Sequence, residues 1–289
     1  MFAIIGAAGN VGFSTSSALR ATGAAVRAIL HDATKSTRLT AIGCDVAVAD
    51  IQDSDALAQA IAGADAVQII VPLRPNVADP AADMRQSIDS IITALDRARP
   101  QRILAISDYG AHIAGDIGMP SLFHGLEARL RALGGDLTIL RSAEHIHNWA
   151  RGIPAAIESG SLPGFHDAAD MPQPMIATQD LGRIAADLLL RAPRGHGIKI
   201  VHAEGPHRHS AQDIADALSS LSGRQIQAVA VPRDHWERAF SQLPASLADL
   251  VSKANDAKNK GRLVDVEAHV GEVSYGTTGL IEALRLLLA

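Results

Sequence analysis

The sequence predicts an α/β fold, a doubly wound parallel sheet followed by a smaller, mostly helical C-terminal lobe. Three observations carry that prediction. Short aliphatic runs alternate with longer helical stretches through the first half of the chain, which is the rhythm of βαβ units. The runs do not alternate polar with apolar residues, as expected of strands covered on both faces. A glycine-rich turn, Gly6-Ala7-Ala8-Gly9-Asn10-Val11-Gly12, joins the first run to the first helix. Composition agrees: 47% of the 289 residues are hydrophobic but only 3% are aromatic, so the core rests on Ala, Leu, Ile and Val. Ala carries the least helix cost of any residue.

Taken in order, strands are expected at residues 2–5, 25–30, 45–48, 66–71, 102–106 and 137–140. Helices are expected between them at 11–22, 54–62, 80–99 and 121–133, and right-handed crossovers wind such units into one sheet. Past about residue 142 the rhythm loosens. Residues 160–174 hold two Gly and three Pro and read as loop. Asp180 reads as the N-cap of a helix over 181–191, ended by Pro193 and Gly195. Strand, helix and strand follow at 198–202, 210–222 and 226–231, then helices at 234–242, 244–257 and 278–288. The predicted division is a first domain over residues 1–150 and a second lobe over 151–289. The helix near 180–192 is expected to pack back on the sheet of the first domain.

Charge and cysteine usage exclude several classes. With 26 basic and 31 acidic residues the net charge is −5, which speaks against a general grip on nucleic acid. Cys44 is the single cysteine, so there is no internal disulfide framework and a reducing compartment suits the chain; Cys44 itself reads as a small buried residue. No stretch has the length and apolarity of a membrane span, and the first residues lack a basic n-region, so a cytoplasmic protein without membrane partners is expected.

The glycine turn is the strongest functional signal. A tight turn needs a residue without Cβ, a pyrophosphate needs close approach of the backbone, and a third glycine lets helix and strand pack. The helix N-terminus then offers unpaired N–H groups and the positive end of its dipole to phosphates. Gly6, Ala8, Gly9, Asn10, Val11 and Gly12 are therefore expected to bind a dinucleotide, and residues 1–150 to form its domain. The end of the second strand leaves the choice of dinucleotide open. Asp32 there can accept from the ribose hydroxyls and favour NAD, or serve only as a helix cap. His31, with Lys35 and Arg38, can instead hold the 2′-phosphate of NADP.

Other positions fall on the same carboxyl edge. Asp50-Ile51 follows the third strand, in reach of an adenine edge. Val71-Pro72-Leu73 ends the fourth, beside the reversal of strand order where such sheets bind ligands. Ser107-Asp108-Tyr109-Gly110 ends the fifth.

With these residues assembled, the chain resembles the NmrA-like branch of the atypical short-chain dehydrogenase/reductase superfamily, and within it the NADPH-dependent quinone reductases and triphenylmethane reductases. The resemblance is carried by MFAIIGAAGNVG, AVRAILHDATK, CDVAVADIQDSDALAQAIAGADAV, ILAISDYGA, HGLEARLRALGGDLTILRSAEHIHNW and QDLGRIAADLLL. The GxxGxxG spacing is shared by the superfamily; LTILRSAEHIHNW is more particular to this branch. The resemblance implies a Rossmann domain, a small lobe closing over the nicotinamide, and NADPH as preferred cofactor with NAD as the alternative. It implies reduction of a quinone-like or other conjugated small-molecule acceptor, or else cofactor sensing without turnover. Two departures stand out. Relatives commonly carry Arg where this chain has His31. The superfamily's Tyr-x-x-x-Lys pair is missing, since the fourth residue after Tyr109 is Ile113.

Two residues are candidates for proton transfer. His124, at the start of the helix after the fifth strand and three residues before Glu127, can contact the acceptor or donate a proton to it, as the near-neutral pKa of histidine suits. The alternative is a helix-terminal histidine held by Glu127. Tyr109, at the carboxyl edge, can donate a hydrogen bond to the substrate or simply pack. His145 and His147 lie just past the sixth strand, where the resemblance places the substrate pocket, and are read as its wall; Asn148 and Trp149 anchor that segment. Neither this His pair nor His207 and His209 has a partnering Cys or an HExxH helix, so no metal site is expected. The chain is read as working on a small molecule, alone or as a homodimer.

Overall fold

The computed structural model describes residues 1–260 and 263–288. β1 (Phe2–Ile5) leads through the glycine turn into α1 (Asn10–Ala21), followed by β2 (Val26–Leu30), the short α2 (Thr37–Ala41), β3 (Asp45–Val48) and α3 (Ser54–Ile61). Then come β4 (Ala66–Ile69), α4 (Pro80–Ala98), β5 (Arg102–Asp108), α5 (Met119–Leu133) and β6 (Asp136–Ser142). The second half contributes β7 (Glu144–His145), α6 (Ile153–Ser159), β8 (Ser161–Gly164), β9 (Met175–Ile176), α7 (Thr178–Leu190), β10 (Gly197–Glu204) and α8 (Ala211–Ser222). It ends with β11 (Gln227–Ala230), α9 (Trp236–Ala239), α10 (Ala245–Asn259), β12 (Glu272–Tyr275) and α11 (Leu280–Leu288).

Eight strands form one parallel sheet in the order β12-β10-β6-β5-β4-β1-β2-β3. The order reverses between β1 and β4, and this opens a crevice at the carboxyl ends of the strands. Two of the eight, β10 and β12, come from beyond residue 150. One face buries Leu57, Ile88, Ile91 and Leu126 from α3, α4 and α5 against Ile5, Val67 and Ile103. The other buries Val11 and Leu19 of α1 and Leu181 and Ala185 of α7 against Ile4, Ala28 and Leu104. Each buried Val, Leu or Ile among them stabilises the fold by about 1.5–3 kcal/mol relative to exposure. A third cluster, with Ile153, Leu162, Ile214, Leu218 and Leu284, is the core of the lobe.

Local signals set the helix ends. Asp53 accepts from the backbone N–H groups of Asp55 and Ala56 to start α3, and Asp79 accepts from Ala82 to start α4, where Pro80 takes the first helical position. Ser210 and Asp213 form a reciprocal capping box on α8. The crossing of α7 over α1 is so close that a Cβ on Gly182 would lie 2.5 Å from Ser14 Cβ and 2.7 Å from the Val11 carbonyl oxygen. Only glycine fits there.

Three expectations need correction, and one strand goes beyond them. Asp180 is not an N-cap: Ala177 holds that position, and Asp180 sits buried in the first turn of α7. Its Oδ2 accepts from the N–H groups of Thr277 (2.9 Å) and Thr278 (2.7 Å), so it ties α7 to the segment before α11 instead. The 160–174 stretch holds a strand, β8, paired with β11 at a sheet edge where Pro163 costs no ladder hydrogen bond. The helix expected over 234–242 shrinks to α9, preceded by a 3₁₀ turn at Arg233–His235. β12 was not anticipated because Glu272 to Tyr275 is a half-exposed edge strand without an aliphatic run.

Candidate active site

A single cavity of about 1120 Å³ runs along the carboxyl ends of the strands. Gly6, Ala8, Gly9, Asn10, Val11 and Gly12 line one end, and His31, Lys35, Asp50, Ile51, Val71, Pro72 and Leu73 continue that wall. Ser107, Tyr109, His145 and His147 border the other end. His124 is not among the lining residues.

The glycine turn has the shape that a pyrophosphate requires. Gly6 adopts a φ of +72°, and a Cβ there would meet Ile70 at 2.7 Å. At Gly12 a Cβ would lie 2.4 Å from the Gly6 carbonyl oxygen, so this glycine serves the packing of α1 on the turn. Gly9 differs: its nearest neighbour would be 3.4 Å away, its φ is an ordinary −76°, and its side is open to the cavity. Gly9 is also the N-cap of α1, and no side chain caps that helix end. The first-turn N–H groups are thus left for a ligand, and a phosphate fits them in charge and in space. His147 Nε2 lies 2.9 Å from Asn10 Nδ2, which brings the segment after β7 against the start of α1 and joins the two parts of the cavity wall.

Past β2 the structure separates the candidates. Asp32 turns away from the cavity to cap its own segment, accepting from Thr34 N–H at 3.0 Å and Thr34 Oγ1 at 2.6 Å. Those two bonds hold its carboxyl below the ordinary range. Arg38 stacks on Phe13, its guanidinium carbon 3.9 Å from the ring centroid. Lys35 and His31 remain facing the cavity.

Behind Ser107, which lines the opposite end, lies a buried ion network. Arg141 on β6 is 2% exposed and donates to both carboxylate oxygens of Glu127, at 2.9 and 2.8 Å, and to Glu267. Ser107 Oγ donates to Glu127 at 2.6 Å. Burial alone would raise the Glu127 carboxyl; the bonds from Arg141 and Ser107 outweigh it and hold the group below its ordinary value. Glu127 therefore does not hold His124. His124 Nδ1 lies instead 2.8 Å from the Ala111 carbonyl oxygen.

Tyr109 reaches the cavity wall with its ring but is 1% exposed, with the ring edge-on to His202 at 5.6 Å. Among the described residues nothing hydrogen-bonds its hydroxyl. Burial pushes the phenol well above its usual range, and Glu204 adds to that. Such a group is a poor proton donor at neutral pH.

Four polar residues that sequence reasoning did not single out as site residues also line this end: Asp108, Glu144, His166 and Lys258. Lys258 Nζ contacts Glu144 Oε2 at 2.5 Å, and both side chains are largely buried. Burial opposes ionisation of Glu144, but Lys258 keeps its carboxyl low. Burial pushes Asp108 up to about 7, with Glu144 adding to the shift and Lys258 opposing it. Burial drives His145 and His166 down to about 4, so both rings are neutral at physiological pH. Met119, Phe123, Phe165, Phe240, Leu243 and Leu247 give this chamber apolar walls. It is roofed by α10, which approaches so closely that a Cβ on Gly118 would lie 2.1 Å from the Leu250 carbonyl oxygen. Asp108 stood within the Ser107–Gly110 segment on the carboxyl edge; Lys258 and His166 carried no local signal, because only tertiary folding brings them here.

Comparison with known proteins places this architecture. A family model described as NAD(P)H-binding matches residues 6–153. Quinone oxidoreductase 2 of Escherichia coli (strain K12) is 26% identical over 292 residues, covering 99% of this chain and 98% of the relative. An NAD(P)H azoreductase of Xenophilus azovorans is 23% identical over 255 residues, covering 88% and 85%. Among solved structures, an NADPH-dependent quinone oxidoreductase from Escherichia coli complexed with NADPH shares the fold at a TM-score of 0.82, with 24% identity and full coverage of both chains. The triphenylmethane reductase of Citrobacter sp. does so at 0.78, with 18% identity and 99% of each chain covered. The family match spans just over half of the chain and begins on the turn whose N–H groups are left open; this protein belongs to the NAD(P)H-binding family.

Proposed function

We propose that the protein is an NAD(P)H-dependent reductase that passes a hydride to a quinone-like or other conjugated small molecule, with NADPH preferred. The carrying observation is the single cavity in which the open glycine turn and an apolar chamber with a charged end are continuous. The names of the curated relatives, a quinone oxidoreductase and an azoreductase, support the same reading. Bound at this edge, a reduced nicotinamide supplies the hydride.

The chain's own residues do the remaining work. The turn from Gly6 to Gly12 holds the pyrophosphate, and Lys35 and His31 lie where a 2′-phosphate needs positive charge. Asp32, which an NAD site would need free for the ribose, is already engaged by Thr34. Val71, Pro72 and Leu73 line the crevice beyond β4, and Asp50 and Ile51 border the adenine side. His145, His147 and the aromatic walls exclude water around a flat acceptor. The Tyr-x-x-x-Lys pair is dispensable in this reading, because a quinone delocalises the charge it gains. In it, residues 1–150 carry the cofactor and 151–289 the acceptor lobe, in a cytoplasmic enzyme acting alone or as a homodimer.

The test is loss of nicotinamide absorbance from NADPH and from NADH with a panel of quinones and azo dyes. Oxidation with several acceptors, faster from NADPH, is expected. Tight cofactor binding with no oxidation by any acceptor would replace the reductase with a cofactor-sensing protein.

A further inference from the structure

We propose that Asp108 is the proton donor of this reductase, delivering its carboxyl proton to the acceptor oxygen that takes up the negative charge. The inference rests on the reductase reading and adds to it the residue that completes the two-electron reduction. Asp108 ends β5 on the carboxyl edge and lines the acceptor chamber. Among the described residues no side chain hydrogen-bonds its carboxyl, and the Lys258–Glu144 pair is the charge pair that acts on it.

The neighbours are each committed elsewhere. Lys258 is tied to Glu144 and His147 to Asn10, and burial holds the Tyr109 phenol well above its usual range. His145 and His166 are neutral rings at working pH. His166 adds an independent sign that a polar ligand group enters here: it is 6% exposed, lines the chamber, and neither ring nitrogen has a partner. A carboxyl that stays protonated near neutrality is suited to donate to developing negative charge.

The step balances. The C–H bond of the reduced nicotinamide breaks and its hydride, with both electrons, forms an O–H bond at one quinone oxygen, which leaves the negative charge on the opposite oxygen, the one that Asp108 protonates. The Asp108 O–H bond breaks as an O–H bond forms on that opposite oxygen. Oxidised cofactor and hydroquinone leave, and the Asp108 carboxylate takes a proton back from water.

The test uses menadione as acceptor with saturating NADPH. Turnover should fall as pH rises through about 7, where Asp108 loses its proton. Asp108→Asn should lower turnover about tenfold to a hundredfold, the lower reach of general-acid effects, because a quinone anion is stabilised and water can protonate it later. The variant should lose the alkaline limb and keep the dissociation constant for NADPH. Two charge variants give a readout that a structural role would not move. Glu144→Gln removes a charge that raises Asp108 and should shift the limb to lower pH, whereas Lys258→Met removes one that lowers it and should shift the limb to higher pH. The infrared band of the protonated carboxyl, followed by pH titration without acceptor, should titrate near neutrality and move the same two ways. Wild-type turnover and an intact limb in Asp108→Asn, or no carboxyl titrating near neutrality in the wild type, would overturn the proposal while leaving the reductase reading in place. No oxidation of NADPH by the wild type would instead remove the reductase reading, and the donor with it.

Discussion

The two ends of the cavity are built in opposite ways. At the cofactor end the binding groups are backbone N–H groups of consecutive residues, presented by a turn whose glycines are required by backbone geometry at Gly6 and by packing at Gly12. At the acceptor end they are side chains from β5, β7, the segment after β8 and α10, brought together only when the lobe folds over the sheet. The first end resists change because its chemistry is the main chain. The second is held by a buried ion network and apolar walls, and its selectivity is open to single substitutions.

That contrast can be broken from either side. The largest effect is expected from Glu127→Ala, which strands Arg141 in the interior and should cost about 3–5 kcal/mol of stability, measured by denaturant unfolding. Because its bonds hold the Glu127 carboxyl below 4.5, this contribution is present at neutral pH and drains away as pH falls through the folded-state value. The variant should therefore lose part of the wild type's acid sensitivity. Gly9→Val comes next. Its side chain enters the phosphate space without an internal clash, so NADPH affinity should fall about a hundredfold, near 2.8 kcal/mol, with the melting temperature little changed. A drop in stability instead would make Gly9 a packing glycine like Gly12.

Smaller effects sharpen the comparison. Lys35→Ala should narrow the preference for NADPH over NADH about tenfold by calorimetry, the scale of one charge-assisted hydrogen bond. An unchanged ratio would move the 2′-phosphate contact to His31. The smallest effect is expected from His124→Ala. The residue does not line the cavity, and its ring is hydrogen-bonded to the Ala111 carbonyl, so turnover should stay within about twofold of wild type. A larger loss would show that this side of α5 reaches the acceptor.

The same contrast explains what was legible beforehand. The strands around the crevice and the glycine turn were readable because aliphatic runs and missing Cβ atoms leave local signatures. The stretch from Ser161 to Gly164 was hidden by Pro163, which reads as loop until its edge position is known. Asp180 looked like a cap because Asp commonly is one, yet tertiary packing gave its carboxylate to Thr277 and Thr278. His124 follows the fifth strand and carries a side chain of suitable chemistry, yet it does not line the cavity. The chamber's working charges are set instead by desolvation and by Lys258, and neither is visible along the chain.

The most direct test of the central claim, that cofactor and acceptor share one cavity for direct hydride transfer, is a single-turnover experiment. Enzyme loaded with NADPH, deuterated or not at the transferable position of the nicotinamide, is mixed with menadione, and the nicotinamide absorbance is followed. The account predicts menadione-dependent loss of that absorbance, one hydroquinone formed per cofactor consumed, and a slower rate with the deuterated cofactor. Bound NADPH that survives menadione unchanged would contradict it.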